Sequence, residues 1–135
     1  MDTPSEVDRL SAEAFELSKE GRVVEAEQRF ERALQLELQA TSDESDPAVV
    51  KARYLLGEHY LRRGEAESAR RVVAPSLEAA DKPLAWIVEA EALYLSGSTK
   101  DARAAGDRAL ALALSPEQRE RIRERLAPLW DEGTD

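Results

Sequence analysis

Leu56-Gly57-Glu58-His59-Tyr60-Leu61-Arg62-Arg63-Gly64-Glu65-Ala66-Glu67-Ser68-Ala69 is the stretch that decides the fold. Apolar residues at helical spacing run into Gly64, and Ala69 follows five residues on. The same step recurs at Gly21/Ala26 and Gly97/Ala102. Gly64 and Gly97 lie 33 residues apart, Gly21 and Gly64 43. A period of this kind marks a stacked helical repeat, in which each helix pair cannot bury its apolar face alone. The glycines end the first helix of each pair, because glycine enters the left-handed region without a Cβ penalty.

Proline at the first helical position loses no hydrogen bond and has a suitable φ. Thr3-Pro4 with Glu6, Asp46-Pro47, Asp81-Lys82-Pro83 and Ser115-Pro116-Glu117-Gln118 therefore open the first, third, fifth and last helices. Gln118 is placed to close a capping box, and Ser98 with Asp101 starts the sixth helix. Seven helices follow, at 4–20, 23–40, 47–63, 66–80, 84–96, 99–113 and 116–130. No strand is expected, since the short apolar runs fit the helical period better. Pro75 should bend or shorten helix four. The acidic, polar connection 41–46 accounts for the longer first spacing, and 131–135 reads as a frayed tail.

The pattern resembles the tetratricopeptide repeat, with its W-x2-L-G-x2-Y, then A-x3-F, then P signature. The middle copy has Leu56-Gly57-x2-Tyr60 and Ala69-x3-Val73. The third has Trp86, Ala90-x2-Leu93, Ala102 and Ala109. The first has Leu10, Ala14-x2-Leu17, Ala26-x3-Phe30 and Ala33. Gly57, Ala14 and Ala90 would let the first helix of a pair approach the second, with Ala26, Ala69 and Ala102 facing them. Phe30 and Val73 would fill the space toward the next repeat. Departures are Arg53 for the tryptophan, Gly106 for a large residue and Ser76 for the last small alanine. The resemblance implies an all-α, right-handed superhelical α-solenoid. It forms one domain over 1–130, with repeats at about 7–40, 50–82 and 83–114 and a capping helix at 116–130. Ile122, Leu126, Leu129 and Trp130 give that helix one apolar stripe, its charges facing out.

Composition narrows the function. Twenty-eight acidic side chains against 19 basic ones give a net charge of −9, which repels nucleic acid and anionic membranes on average. The arginine clusters 62–63, 70–71 and 119–125 all have glutamates nearby and read as salt-bridged surface. Cysteine is absent, so there is no disulfide framework. The N-terminal stretch has no basic start before an apolar run, and no segment approaches a membrane span, which predicts a cytoplasmic protein. The single His59 is expected at the surface. One histidine, no cysteine, no acidic cluster at metal spacing and no glycine-rich phosphate loop predict no catalysis, metal, cofactor or small-molecule substrate.

Binding remains. In such an array the first helices of the pairs line the concave surface. Candidate groove residues are Phe15 and Lys19 from the first copy, alongside Asp8, Ser11 and Ser18. The second copy offers Lys51, Tyr54, Glu58, Leu61 and Arg62, and the third Leu84, Ile87, Glu91, Tyr94 and Leu95. Only Glu89 and Glu91 are charged between Leu84 and Leu95, and a helix apolar all round expects burial on every side. Its cover is the closing helix, a segment of another protein, or a second copy of the chain. The resemblance implies protein–protein interaction. The carboxylate clamp of one family branch needs two asparagines, and this chain has none. The expected protein is a non-catalytic adaptor or scaffold for a protein segment, with homodimerisation through the same surface as the alternative. A nucleic-acid regulator fits the charge poorly.

Overall fold

The computed structural model describes residues 5–79 and 82–131. Among them are eight helices and no strand: α1 (Glu6–Lys19), α2 (Val23–Ala40), α3 (Pro47–Arg62), α4 (Ala66–Ala79), α5 (Leu84–Leu95), α6 (Thr99–Ala111), α7 (Pro116–Arg125) and α8 (Ala127–Asp131). They pair in chain order, α1 with α2, α3 with α4 and α5 with α6. Successive pairs join through α2–α3, α4–α5 and α3–α5. The architecture is the expected all-helical repeat stack.

All three glycine stops are built alike. Gly21, Gly64 and Gly97 have φ of 79°, 74° and 85°. At each, the glycine N–H donates three residues back and the next N–H five back: Gly64 to Leu61 and Glu65 to Tyr60, for example. These are Schellman closures. A Cβ at any of the three would meet open space, so backbone conformation alone demands glycine there. Helix starts follow the sequence less uniformly. Asp46 Oδ1 accepts from the Ala48 N–H at 2.8 Å. Ser115 Oγ accepts from Gln118 N–H at 3.0 Å, and Gln118 Oε1 accepts from Leu114 N–H. Ser5 caps α1; the proposed opening at Thr3-Pro4 lies outside the described residues, as does Asp81. Pro83 is the cap of α5 rather than its first residue, and the Ser98 hydroxyl makes no capping bond.

Pro75 stands inside α4, which is described to Ala79; Arg53 Nη1 donates to the Val72 carbonyl at 2.9 Å just ahead of it. Two expectations are corrected. The closing helix is two helices. Pro128 has no N–H to offer a carbonyl four residues back, so α7 ends at Arg125 and α8 begins at Ala127. His59 is not at the surface: it is 2% exposed. Its Nε2 lies 3.3 Å from Glu27 Oε1 and its ring 5.6 Å from that of Phe30.

Small side chains set the helix spacing. Ala14, Ala26, Ala69, Ala90 and Ala102 are completely buried. A Cβ on Gly57 would stand 3.0 Å from the Cγ1 atoms of both Val73 and Val88, so α3 presses against α4 and α5 together. Phe30, Leu34 and Leu56 fill the first joint, Val73 and Val88 the second. Ile87, Ile122, Leu126 and Leu129 share a third cluster under the closing helices. Gly106 seats those helices, for a Cβ there would meet Leu129 Cδ1 at 3.0 Å and Trp130 Cζ2 at 3.1 Å. Arg53 anchors the connection before α3. Its Nε and Nη2 bind the two oxygens of Glu44 at 2.9 and 3.1 Å.

Gly57→Ala should destabilise the fold by about 1–3 kcal/mol through overpacking against two stiff valines. Gly64→Ala should cost about 1–2 kcal/mol through its left-handed backbone alone. Urea unfolding checks both, and a neutral Gly57→Ala would contradict the close approach.

Burial holds the His59 imidazole below its usual pKa, while Glu27 pulls the other way. The unfolded chain therefore binds a proton near about pH 6.5 that the folded chain resists. Stability should be full above that pH and decline as pH falls through the window beneath it. His59→Gln should flatten this slope below about pH 6.5. An unchanged slope in denaturant melts would refute it.

Candidate partner-binding groove

The 33-residue period sets side chains of α3 and α5 next to one another in matched pairs. Glu58 neighbours Glu91, Leu61 neighbours Tyr94, and Arg62 neighbours Leu95. These six residues form one wall of a groove of about 360 Å³ at the C-terminal ends of the two helices. Arg125, Leu126, Pro128 and Leu129 form the other. Its floor is apolar, and Leu95 is 56% exposed at its rim.

Arg125 spans the groove. Its Nη2 lies 2.5 Å from Glu58 Oε2 and 2.6 Å from Glu91 Oε1. Its Nη1 donates to the Tyr54 hydroxyl at 2.5 Å, and the guanidinium carbon stands 5.8 Å from the Tyr54 ring centroid, within cation–π range. Burial works against the Arg125 charge, but Glu91, Tyr54 and Glu58 outweigh it and hold the proton more firmly than usual. Burial likewise raises the Tyr54 phenol, with Arg125 opposing. Two acids face a single cation, so Arg125 offsets only one of the two negative charges at the centre of the groove.

The twelve candidate residues do not converge on one site. Glu58, Leu61, Arg62, Glu91, Tyr94 and Leu95 line this groove, and Tyr54 stands at its edge. Phe15 and Lys51 line a separate cleft of about 580 Å³ between α1 and α3, with Asp8, Ser11 and Leu55. That cleft opens because α1 makes almost no contact with α3. Lys19 is exposed and paired with Glu16 at 3.3 Å. Leu84 is half-buried at the start of α5. Ile87 is 5% exposed and belongs to the core beneath the closing helices. That cover is therefore partly supplied by the chain itself.

Sequence reasoning missed Arg125, which reaches across the groove to Glu58, Glu91 and Tyr54 while staying open to solvent. Leu126 and Leu129 were legible as an apolar stripe but not as a groove wall. The one available signal was Glu58 and Glu91 at matching repeat positions, a pair of like charges that a cation should join. Of the other clustered arginines, Arg63 binds Glu27 and Glu65 and Arg70 binds Glu89 as salt-bridged surface, whereas Arg119 donates to the Leu110 carbonyl instead of an acid. Among the described residues no group of acidic or histidine side chains could hold a metal ion, and no helix is long and apolar enough to cross a membrane.

Stacked helix pairs with a groove on their first-helix side define a helical-repeat protein. Residues 17–92 match the family model for the tetratricopeptide repeat. The chain belongs to the tetratricopeptide repeat family. Among curated proteins none matches it. Tetratricopeptide repeats generally mediate protein–protein interaction, and proteins of the family are typically non-catalytic.

Arg125→Ala removes one partly exposed cation from two acids. It should lower stability by no more than about 1 kcal/mol, with the loss shrinking in high salt. Thermal melts at low and high salt check this. A large, salt-independent loss would mean that the contact is structural to the whole array.

Proposed function

We propose that the protein is a non-catalytic adaptor that binds a segment of another protein in the apolar groove between α3, α5 and the closing helices. The observation that carries this reading is Leu95. It is a large, exposed apolar side chain beside Leu61 and Tyr94 at the mouth of a concave, mostly apolar depression. Concavity with apolar lining and a few fixed polar groups is what a bound segment requires. The groove is short, so a few anchor side chains would enter it rather than a long helix.

Homodimerisation through the same surface is the second reading. Leu95 also favours it, because an exposed apolar patch suits a symmetric contact.

Peptides selected from a displayed library on the full chain should lose about tenfold or more in affinity when Leu95 or Leu61 becomes Asp, the mark of an interface hot spot. Val24→Asp, outside the groove lining and 64% exposed, serves as control. Peptides indifferent to Leu95→Asp would remove the groove as the site. Light scattering over a range of concentrations addresses the dimer, and a concentration-independent monomer would remove it.

A further inference from the structure

The partner's chemistry can be read from what already fills the groove. Glu58 and Glu91 come from different helix pairs and point two carboxylates at one spot. Tyr54 adds a hydroxyl and a ring face to the same spot. Together they surround a planar cation. Two acceptors plus an aromatic face suit a guanidinium, with its fork of donors and its tendency to stack, better than an ammonium. Arg125 fills that place, while Leu126 and Leu129 beside it belong to the wall of the groove and to the core cluster beneath the closing helices. The apolar floor between them and Leu61, Tyr94 and Leu95 stays open.

We propose that the adaptor's partner presents the same chemistry: a protein segment with an arginine for the Glu58–Glu91–Tyr54 centre and apolar side chains just after it for the floor. The Arg125 side chain is then an intramolecular competitor for the carboxylate centre, and the closing helices stay as a wall of the groove. This inference rests on the adaptor reading above. Charge complementarity commits it to a basic-apolar segment, since an acidic one would meet Glu58 and Glu91 as Arg125 left.

The closing helices are seated independently of Arg125. Ile122, Leu126 and Leu129 are buried in the shared apolar cluster, Arg119 binds the Leu110 carbonyl, Arg103 the Leu129 carbonyl and Trp130 Nε1 Asp107. Helices α7 and α8 touch the array's backbone chiefly along α6. Loss of the Arg125 contact would free the carboxylates while Gly106 still seats Leu129 and Trp130.

The test uses a fluorescein-labelled peptide copying residues 121–131, titrated into the full chain and followed by anisotropy. It should bind the Arg125→Ala chain about tenfold more tightly than the wild type, because the competing guanidinium is gone. Changing the peptide's own Arg125 position to Ala, with its Arg121 and Arg123 kept, should abolish that gain. So should Glu58→Gln with Glu91→Gln in the Arg125→Ala chain. Arg125→Gln replaces Arg125→Ala should the latter lose its helical circular dichroism. Binding that needs Leu95 but ignores the peptide's arginine would overturn this inference and leave the adaptor groove standing. Binding indifferent to both, or none to a folded Arg125 variant, would overturn the inference as well. Wild-type dimers formed by exchange of α7–α8 would assign the site to a second copy and overturn it too.

Discussion

The close approach of α3 to α4 and α5 at Gly57 is the constraint on which the rest depends. A hydrogen in place of a side chain lets one helix touch two others at once, with Val73 and Val88 on either side. The fully buried alanines Ala69, Ala90 and Ala102 continue the same tight spacing into the third pair. Once α3 and α5 are neighbours in register, the 33-residue period does the rest. It brings Glu58 beside Glu91 and Leu61 beside Tyr94. The groove is thus a by-product of packing, its chemistry set by whichever residues occupy the outward positions of a repeat whose inward positions are fixed.

That division explains what could be read in advance. Glycine stops are local: the φ of Gly64 and the two bonds closing on Leu61 and Tyr60 involve only the helix end itself. Core alanines are nearly as local, because the helical period predicts the face they share. Arg53, His59, Gly106 and Arg125 are another matter. Each departs from a surface or family expectation because of a partner that the spacing does not reveal. Gly106 is small because Leu129 and Trp130 of α8 come to rest on it. The buried His59 depends on Glu27 and Phe30 from α2. Arg125 reaches Tyr54, 71 residues back in the chain. A lone charge among the many of α7 carries no mark of the tertiary contact that singles it out.

The irregular first joint has a physical cause. Between Gly21 and Gly64 the chain inserts a long α2 and the connection 41–46, so the first pair meets the second through α2 while α1 stands away from α3. Replacing the usual tryptophan with Arg53 fits this geometry. A guanidinium can hold Glu44 in the connection with one edge and the Val72 carbonyl with the other. Tryptophan could fill the space but has a single donor and could bind neither carboxylate oxygen as a fork does. The cost of burying Arg53 is offset because both edges are occupied.

The net charge of −9 suggests a protein that meets its partners with acid, and at the groove's centre its own arginine offsets only one of two acid charges. A ligand entering there must do more than match the apolar floor. It must displace a guanidinium whose partners already hold it, or accept the two acids left behind. An apolar segment without a cation would strand Glu58 and Glu91 side by side, a like-charge pair in a partly dehydrated site. On the adaptor reading, a segment carrying its own arginine would exchange one set of contacts for an equal set, so its net affinity would come from the apolar residues. Since a ligand can shift an equilibrium only by its differential affinity for the two states, the hold of Glu58, Glu91 and Tyr54 on Arg125 would then set the threshold for binding.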